Sequence, residues 1–358
     1  MKDKDTREGD VSVGLDVGDR YTRVCAMVRR GDEVEVVDER RVLTEREGLS
    51  RCLARWGRVR VALETGTHAP WIDEHLRFEG HEVLVLHARK VALVYGDAVK
   101  DDRRDARILA DLALHRPQWL PVVRHRSRAT REDFLVLKAH EQLVGARSKL
   151  VNAVRGLVKP FGVRVPKCGT RVFPQRAEAA IPDPLWPALR PLVTAIEELT
   201  VRILHLEKRF EEVVDARYPE TRRMMQVSGV GVATALCFRL VVEDPGRFPR
   251  ARDVGAYLGL TPRRDQSGDQ EAQLGITRAG HSMMRRLLVT SAVYILGPHG
   301  PDTDLRRWGK RRGERGGPIA AKKARVAVAR RLAVLLLRLW SRNERYEPLR
   351  QAALTLEV

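Results

Sequence analysis

Cysteine is sparse in this chain. The four in 358 residues, Cys25, Cys52, Cys168 and Cys237, are scattered without disulfide or metal-ligand spacing. That excludes a disulfide framework and a thiolate metal site, and it points to a reducing compartment. Long apolar runs are missing too. None approaches the roughly 20 residues a membrane span needs, so no membrane role is expected. The opening segment, MKDKDTREGD, is charged throughout, which argues against a secretory signal; the expected location is cytoplasmic, nucleoid-associated. Lysine is also scarce. Only 12 of the 66 basic residues are lysine, leaving 54 arginines, and against 47 acidic residues the net charge is +19. Arginine's planar fork suits phosphate, so a surplus of this size predicts a polyanionic partner, nucleic acid above all. A GC-rich genome would explain arginine over lysine but not the net charge.

The length allows two or three domains with real cores. From residue 11 to about 116 the pattern reads strand, strand, strand, helix, strand, helix, strand, helix. The strands are VSVGLDV, TRVCAMV, EVEVVDERRVL, VRVALE and HEVLVLH. The helices fall near EREGLSRCLARW, APWIDEHLRF and DDRRDARILADLALH. A three-strand meander followed by alternating helix and strand is α/β, in the element order of the RNase H fold. The texture then changes. Residues 131–158 carry Leu137, Val144, Val151 and Val158 seven apart, beside Val136, Leu143, Leu150 and Leu157. After a proline-punctuated linker, Leu185, Leu189, Leu192, Ile196, Leu199, Ile203, Leu206, Phe210 and Val213 alternate in steps of four and three. That is a heptad seam. The two helices are expected to pair with each other as an antiparallel hairpin, to pair with a second subunit, or to lie in an ordinary bundle. The last third reads as mainly helical, with AAKKARVAVARRLAVLLLRLW as one basic-then-apolar helix. The expected layout is an α/β domain over 1–120, a helical coiled-coil region over 121–216 and a mainly α domain over 217–358.

Side chains alternate between the faces of a strand. In VSVGLDV one face carries Val11, Val13, Leu15 and Val17, and the other Ser12, Gly14 and Asp16. VRVALE repeats the design, with Val59, Val61 and Leu63 opposite Ala62 and Glu64. Small residues let a helix approach that face, and a carboxylate ends it at the carboxyl edge, where ligands of open α/β sheets gather. On the helix KDDRRDARILADL, Asp102, Asp105, Leu109 and Leu112 form one stripe. The leucines must pack on the sheet, which carries Asp102 and Asp105 toward it. Singly, each acidic residue reads as a helix cap or a solvated strand end. Four together repel one another, and divalent cations are the usual compensation. Hard oxygen ligands select Mg²⁺ or Mn²⁺, and two ions about 4 Å apart would clamp a scissile phosphate. A strand running into an Asp-Gly turn also opens the actin-like ATPases. Those need a second glycine-rich phosphate loop, and nothing after residue 116 resembles a second copy of the fold.

Two glycine turns follow. MMQVSGVGVATALCFRL sets Gly229 and Gly231 before a helix, like a helix-hairpin-helix that offers backbone N–H groups to phosphate; a tight interhelical turn needs the same glycines. In AYLGLTPRRDQSGDQEAQLGITRAGHSMMRRLL, Ser267 stands in a polar loop after Arg263 and Arg264, and Arg278, His281 and Arg285 lie at the start of a helix. A serine nucleophile needs a base and a stabiliser for the developing charge. The arginines supply the second need, but no residue stands in a fixed spacing for the first. On spacing alone Ser267 is a turn residue.

Together GLDVG, ALETGTHAPW, VKDDRRDARILADL, VSGVGVATALCFRLVVEDPGRF, AYLGLTPRRDQSG and GITRAGHSMMRRLL resemble the insertion sequence 110 family of transposases, over residues 11–345. The resemblance implies a RuvC-like N-terminal domain whose Asp-Glu-Asp-Asp tetrad matches Asp16, Glu64, Asp102 and Asp105, all metal ligands. It makes Ser267 the catalytic serine of the C-terminal transposase domain. It further implies a structured non-coding guide RNA (a bridge RNA) pairing with donor and target double-stranded DNA. Two departures stand out: Asp101 where Thr or Ser is frequent, and His281 where Asn is common. The expected protein is a site-specific recombinase, a homo-oligomer working as a dimer or tetramer on DNA. Its Ser267 joins covalently to a DNA phosphate beside Mg²⁺ held by the tetrad. Arg263, Arg264, Arg278, Arg285, Gly229 and Gly231 are its expected nucleic-acid contacts. The alternatives are a RuvC-like Holliday-junction resolvase using only the tetrad, and a non-catalytic RNA-binding protein.

Overall fold

A computed structural model of the chain describes residues 11–31, 33–87, 102–115, 117–267, 270–314 and 316–350, without the side chains of Asp102, 264–267 and 270–274. Its contacts divide it at His125/Arg126 into two compact units.

The first unit is a mixed sheet of β1 (Val11–Val17), β2 (Tyr21–Arg30), β3 (Glu33–Leu43), β4 (Arg60–Glu64) and β5 (Glu82–Leu86), in the order β3-β2-β1-β4-β5. β1, β2 and β3 pair antiparallel, whereas β1–β4 and β4–β5 are parallel. This is the meander and its alternating continuation expected from the hydrophobic pattern. On one face Val13, Leu15, Val61 and Leu63 pack under α1 (Arg46–Leu53) and α2 (Ala69–Phe78), through Leu49, Leu53, Ile72 and Leu76. α3 (Asp102–His115) covers the other face with Ala106, Leu109, Ala110 and Ala113, one stripe at helical spacing.

Gly14 sets how closely α3 approaches. A Cβ there would lie 2.0 Å from the Ala106 carbonyl oxygen and 2.5 Å from the Ala110 amide nitrogen. Both are backbone atoms of a packed helix, so neither can swing aside. Gly14→Ala is therefore expected to destabilise the fold by about 1–3 kcal/mol, as overpacking does. Thermal denaturation of the variant checks this, and an unchanged midpoint would contradict the packing.

In the second unit α4 (Arg128–Leu157) and α6 (Trp186–Arg217) pair with each other, joined through α5 (Phe173–Ala180). Tyr218 just past α6 donates its hydroxyl to Asp133 at 2.6 Å, His140 meets Glu207 at 3.5 Å, and Arg147 donates to Thr200 at 3.1 Å. Residue numbers rise along one helix as they fall along the other, so the hairpin is antiparallel and within one chain. Leu189, Ile196, Ile203 and Phe210, seven apart, are fully buried, while Leu192, Leu199 and Leu206 on the companion row are half-buried. Asp133 is a buried carboxylate, matched by Arg217 and the Tyr218 hydroxyl. Burial and that hydrogen bond push the Tyr218 phenol up to about 12.

The base of the hairpin shares its core with the C-terminal elements: α7 (Thr221–Met224), α8 (Val232–Val242), α9 (Val254–Tyr257), β6 (Pro262–Ser267), β7 (Gln270–Ile276), α10 (Ser282–Leu296), α11 (Asp304–Gly313) and α12 (Gly317–Ser341). Phe134, Leu137, Phe210 and Val213 meet Leu236, Phe238, Met284, Leu288, Leu332 and Leu336 in that core. Helix α12 has the expected two halves, Lys322, Lys323 and Arg325 exposed and Leu332, Ala333, Leu336 and Leu337 buried.

One stretch differs from expectation. The segment around Ser267, read from sequence as a polar loop, carries the paired antiparallel strands β6 and β7. PRRDQS has no apolar alternation for period-2 reasoning to detect, and QEAQLGI offers only the short run Ala272, Leu274 and Ile276 beside a polar partner. A local signal was present all the same. Gly268-Asp269, between the strands, is the residue chemistry of a two-residue hairpin link. The four thiols are free, and burial pushes Cys25 up to about 11 and Cys237 up to about 12. Among the described residues no helix is long and apolar enough to cross a membrane.

Candidate functional site

Two strand ends define the carboxyl edge of the sheet. β1 and β4 pair in parallel through Ser12↔Arg60 to Leu15↔Leu63, and Asp16 and Glu64 continue that register by one residue. They stand on adjacent strands, about 4.8 Å apart in backbone terms. Gly14 and Ala62, two residues earlier on each strand, face α3. Alternation therefore puts Asp16 and Glu64 on the α3 face as well. Both are half-buried.

Helix α3 runs antiparallel to these strands. Arg60, first in β4, donates to the Ala113 carbonyl near the end of α3 at 3.1 Å, whereas Gly14 lies against Ala106 and Ala110. The first turn, with Asp102 and half-buried Asp105, consequently lies toward the carboxyl edge. A bidentate pair from Arg107 to Glu39 of β3 holds the helix in this orientation, and that guanidinium keeps the Glu39 carboxyl below its usual range. The donor set is hard carboxylate oxygen, which suits Mg²⁺ or Mn²⁺. Among the described residues no three His, Cys, Asp or Glu groups stand close enough together to hold a metal ion. The fourth carboxylate, Asp102, has its side chain outside the described set, as does all of Asp101.

Residues without an assigned role in the sequence reading complete this edge. His68, just after Glu64 and its short loop, lies 3.2 Å from Asp19 in the β1–β2 turn. Trp71 donates its indole N–H to His68 Nδ1 at 3.0 Å. Nδ1 is thus an acceptor, so the imidazole proton sits on Nε2, facing Asp19. The stretch GTHAPW held this signal, but a pairing across 49 residues is invisible to local pattern.

In the second unit Ser267 is the last residue of β6, opposite Gln270 of β7. Gly268 and Asp269 lie outside the described residues, as do the side chains of Ser267 and Arg264. Arg263 is exposed in β6. The other expected contacts are dispersed in role. Arg285 Nη1 donates to the carbonyls of Ala279 at 2.6 Å, Gly280 at 2.9 Å and Leu258 at 3.3 Å. This staples the segment before α10, and it leaves that nitrogen engaged by backbone rather than held out toward solvent. Arg278 has φ +55°, and its N–H donates to the Gly259 carbonyl. Gly229, at φ +87°, packs so close to α10 that a Cβ would meet Tyr294 at 2.8 Å, so helix packing alone requires glycine there. Gly231 is the N-cap of α8, with open space beside it. His281 packs edge-on against Phe134 at 4.9 Å. Burial first, then Arg126, Lys138 and Arg285, push its pKa down to about 4, which keeps it neutral.

Two family models match the chain. A transposase model of the DEDD type of the IS110 group spans residues 13–161, which takes in Asp16, Glu64, Asp102 and Asp105. The model described as Transposase IS116/IS110/IS902 family spans residues 221–304, which takes in Gly229, Gly231, Ser267, Arg278 and Arg285. The chain is 30% identical over 259 residues to the transposase for insertion sequence element IS1111A of Coxiella burnetii, covering 70% of each chain. It is 30% identical over 301 residues to a probable family 20 transposase of Pseudomonas aeruginosa, covering 80% of this chain and 86% of the relative. The transposase for insertion sequence element IS1328 of Yersinia enterocolitica is 25% identical over 288 residues, covering 79% and 83%. With matched models at both ends and relatives aligned over most of its length, the chain belongs to the IS116/IS110/IS902 family of transposases.

Proposed function

We propose that this transposase is a site-specific DNA recombinase, guided by a structured non-coding RNA, that works through a covalent phosphoserine intermediate. The observation that carries the reading is the placement of Asp16 and Glu64 side by side at the carboxyl edge of parallel strands, with Asp105 on the helix packed over that face. Asp16, Glu64, Asp102 and Asp105 would hold Mg²⁺ or Mn²⁺, which when bound polarises the phosphate and stabilises the leaving oxygen. Ser267 Oγ gives up its proton and bonds to phosphorus as one bridging P–O bond of the DNA strand breaks. The freed strand-end oxygen takes up a proton, and attack by a new strand's hydroxyl reverses the sequence and restores the serine. The position of Ser267, last in β6 and paired with Gln270 of β7, supports this role because it sets the residue at the end of the hairpin strands far from their root. The working form is a homo-oligomer, with the layout 1–120, 121–216 and 217–358 as its functional division.

The test mixes purified protein with DNA carrying the element's ends, RNA transcribed from its non-coding flank, and Mg²⁺, then quenches with denaturant. Cut DNA that migrates with protein until protease frees it supports the reading. Metal-dependent cutting without any such adduct makes water the nucleophile, the mode of a RuvC-like junction resolvase. RNA binding with no cutting at all leaves a non-catalytic RNA-binding protein.

Charge provides a second check. With a net charge of +19, affinity for structured RNA is expected to fall steeply with salt, because each neutralised phosphate releases counterions. Six or more contacts give a slope of log K against log salt of about −5 or steeper, at about −0.9 per duplex phosphate. Titrations across salt concentrations measure it, and a flat profile contradicts the phosphate-binding role.

A further inference from the structure

A groove of about 990 Å³ opens in the second unit between α11, α12, the segment 344–350 and the root of the β6–β7 hairpin at Pro262, Gly275 and Ile276. Its size is at the upper end of the range for small-ligand sites, about 300–1,000 Å³. Its floor is apolar, made of half-buried Val326, Val334 and Leu335 with Trp308. Eight basic and three acidic side chains line it. Two of the acids are already matched, Glu344 by Arg342 and Arg350, and Glu347 by Arg350. Among the described residues no carboxylate lies within 4 Å of Arg312, Lys322, Lys323, Arg330, Arg331 or Arg338. Two of these guanidiniums lie over the indole of Trp308, Arg331 at 4.6 Å and Arg312 at 5.3 Å from its centroid.

A run of basic residues on a helix is ordinarily a solvated face. Here the run instead borders an open groove with an apolar floor, an aromatic ring and cations that no described carboxylate matches, and that combination asks for a ligand with both phosphates and flat apolar faces. A duplex offers the phosphates but keeps its bases stacked inside. A single strand offers both, since unstacked bases lie on aromatic rings and guanidinium planes while the backbone follows the positive rim.

We propose that this groove binds a single-stranded segment of nucleic acid, one or more bases stacking on the Trp308–arginine platform and phosphates lying along Lys322, Lys323 and Arg331. The proposal rests on the reading that the partner is nucleic acid. It adds a site in the second unit, at the root of the hairpin that ends in Ser267, through which an unpaired strand is held.

The probe is a fluorescein-labelled single-stranded RNA of about a dozen nucleotides and mixed sequence, with the matching duplex as control, read by anisotropy on the full chain. The triple variant Lys322→Ala/Lys323→Ala/Arg331→Ala changes only exposed side chains and is expected to fold. It should bind the single strand at least about tenfold more weakly. Its salt slope should be shallower by about 2, from three contacts at about 0.7 each. Trp308→Leu should lose about tenfold for the single strand, within the range for one stacked base, and leave duplex affinity unchanged. If Trp308→Leu does not fold, the triple variant still decides. Single-strand affinity and slope equal to wild type overturn the proposal. So does an equal loss for duplex and single strand, or poly-glutamate competing as well as the RNA. If groove variants bind RNA normally while wild type forms its DNA adduct, the groove fails and the recombinase reading stands. If wild type binds no nucleic acid at low salt, both fail.

Discussion

Ser267→Ala is expected to fold, to bind RNA and DNA, and to produce neither a cut strand nor a protein–DNA adduct. Ser267 ends β6, and its pairing with Gln270 is a backbone register that alanine keeps. Loss of a small hydroxyl at a strand end should change stability by no more than about 0.5 kcal/mol, as for substitutions away from special features. The activity effect is of a different order. Removing a covalent nucleophile eliminates the step itself, and losses on the order of 10⁴-fold or more are usual. Ser267→Cys should recover weak activity, because a thiolate is also a nucleophile. The readout is the denaturant-quenched, protease-sensitive DNA band. If Ser267→Ala cuts as fast as wild type, the nucleophile is water and the serine has no part in the chemistry.

The second large effect belongs to the carboxyl edge of the sheet. Asp16→Ala, and separately Glu64→Ala, should abolish cleavage and weaken Mg²⁺ or Mn²⁺ binding while RNA affinity survives, since phosphate contacts elsewhere carry that affinity. Asp102→Ala and Asp105→Ala should behave alike. Asp16→Asn separates charge from shape, because the amide keeps the volume but loses the hard anionic oxygen that a divalent cation prefers. Without metal, carboxylates brought to one edge repel one another, so each loss should leave the metal-free protein as stable as wild type or more so. Calorimetric metal titration and melting with and without Mg²⁺ measure both expectations. Full cleavage in EDTA, or a variant that melts earlier than wild type only in EDTA, contradicts the metal-site reading.

Much of the first unit was legible before any coordinates. Strict alternation in VSVGLDV and VRVALE placed Asp16 and Glu64 on the face opposite Val13 and Val61, and Gly14 and Ala62 announced a close helix. The leucine stripe of α3 then identified which helix. The second unit was legible in its helices and not in its hairpin, because PRRDQS carries no apolar alternation and QEAQLGI only the short run Ala272, Leu274 and Ile276. Arg285 shows a different limit. A basic residue at a helix start reads the same whether it awaits a phosphate or staples three carbonyls, and only the neighbouring backbone tells the two apart.

The residue order by itself determined the periodicities, and with them the strands, the heptad helices, the two acidic strand ends and the family resemblance. These depend on neighbours within a few positions, where side-chain direction follows from backbone repeat. Tertiary structure alone decided what each buried face meets. The heptad seam could have served a second subunit, and it closed instead on α4 of the same chain, through Asp133–Tyr218, His140–Glu207 and Arg147–Thr200. His68 found Asp19, and Trp308 came to lie against Arg312 and Arg331 in an open groove. A pattern records that a face is apolar or charged. Which partner covers it depends on shape complementarity between segments distant in sequence, and only the packed chain resolves that competition.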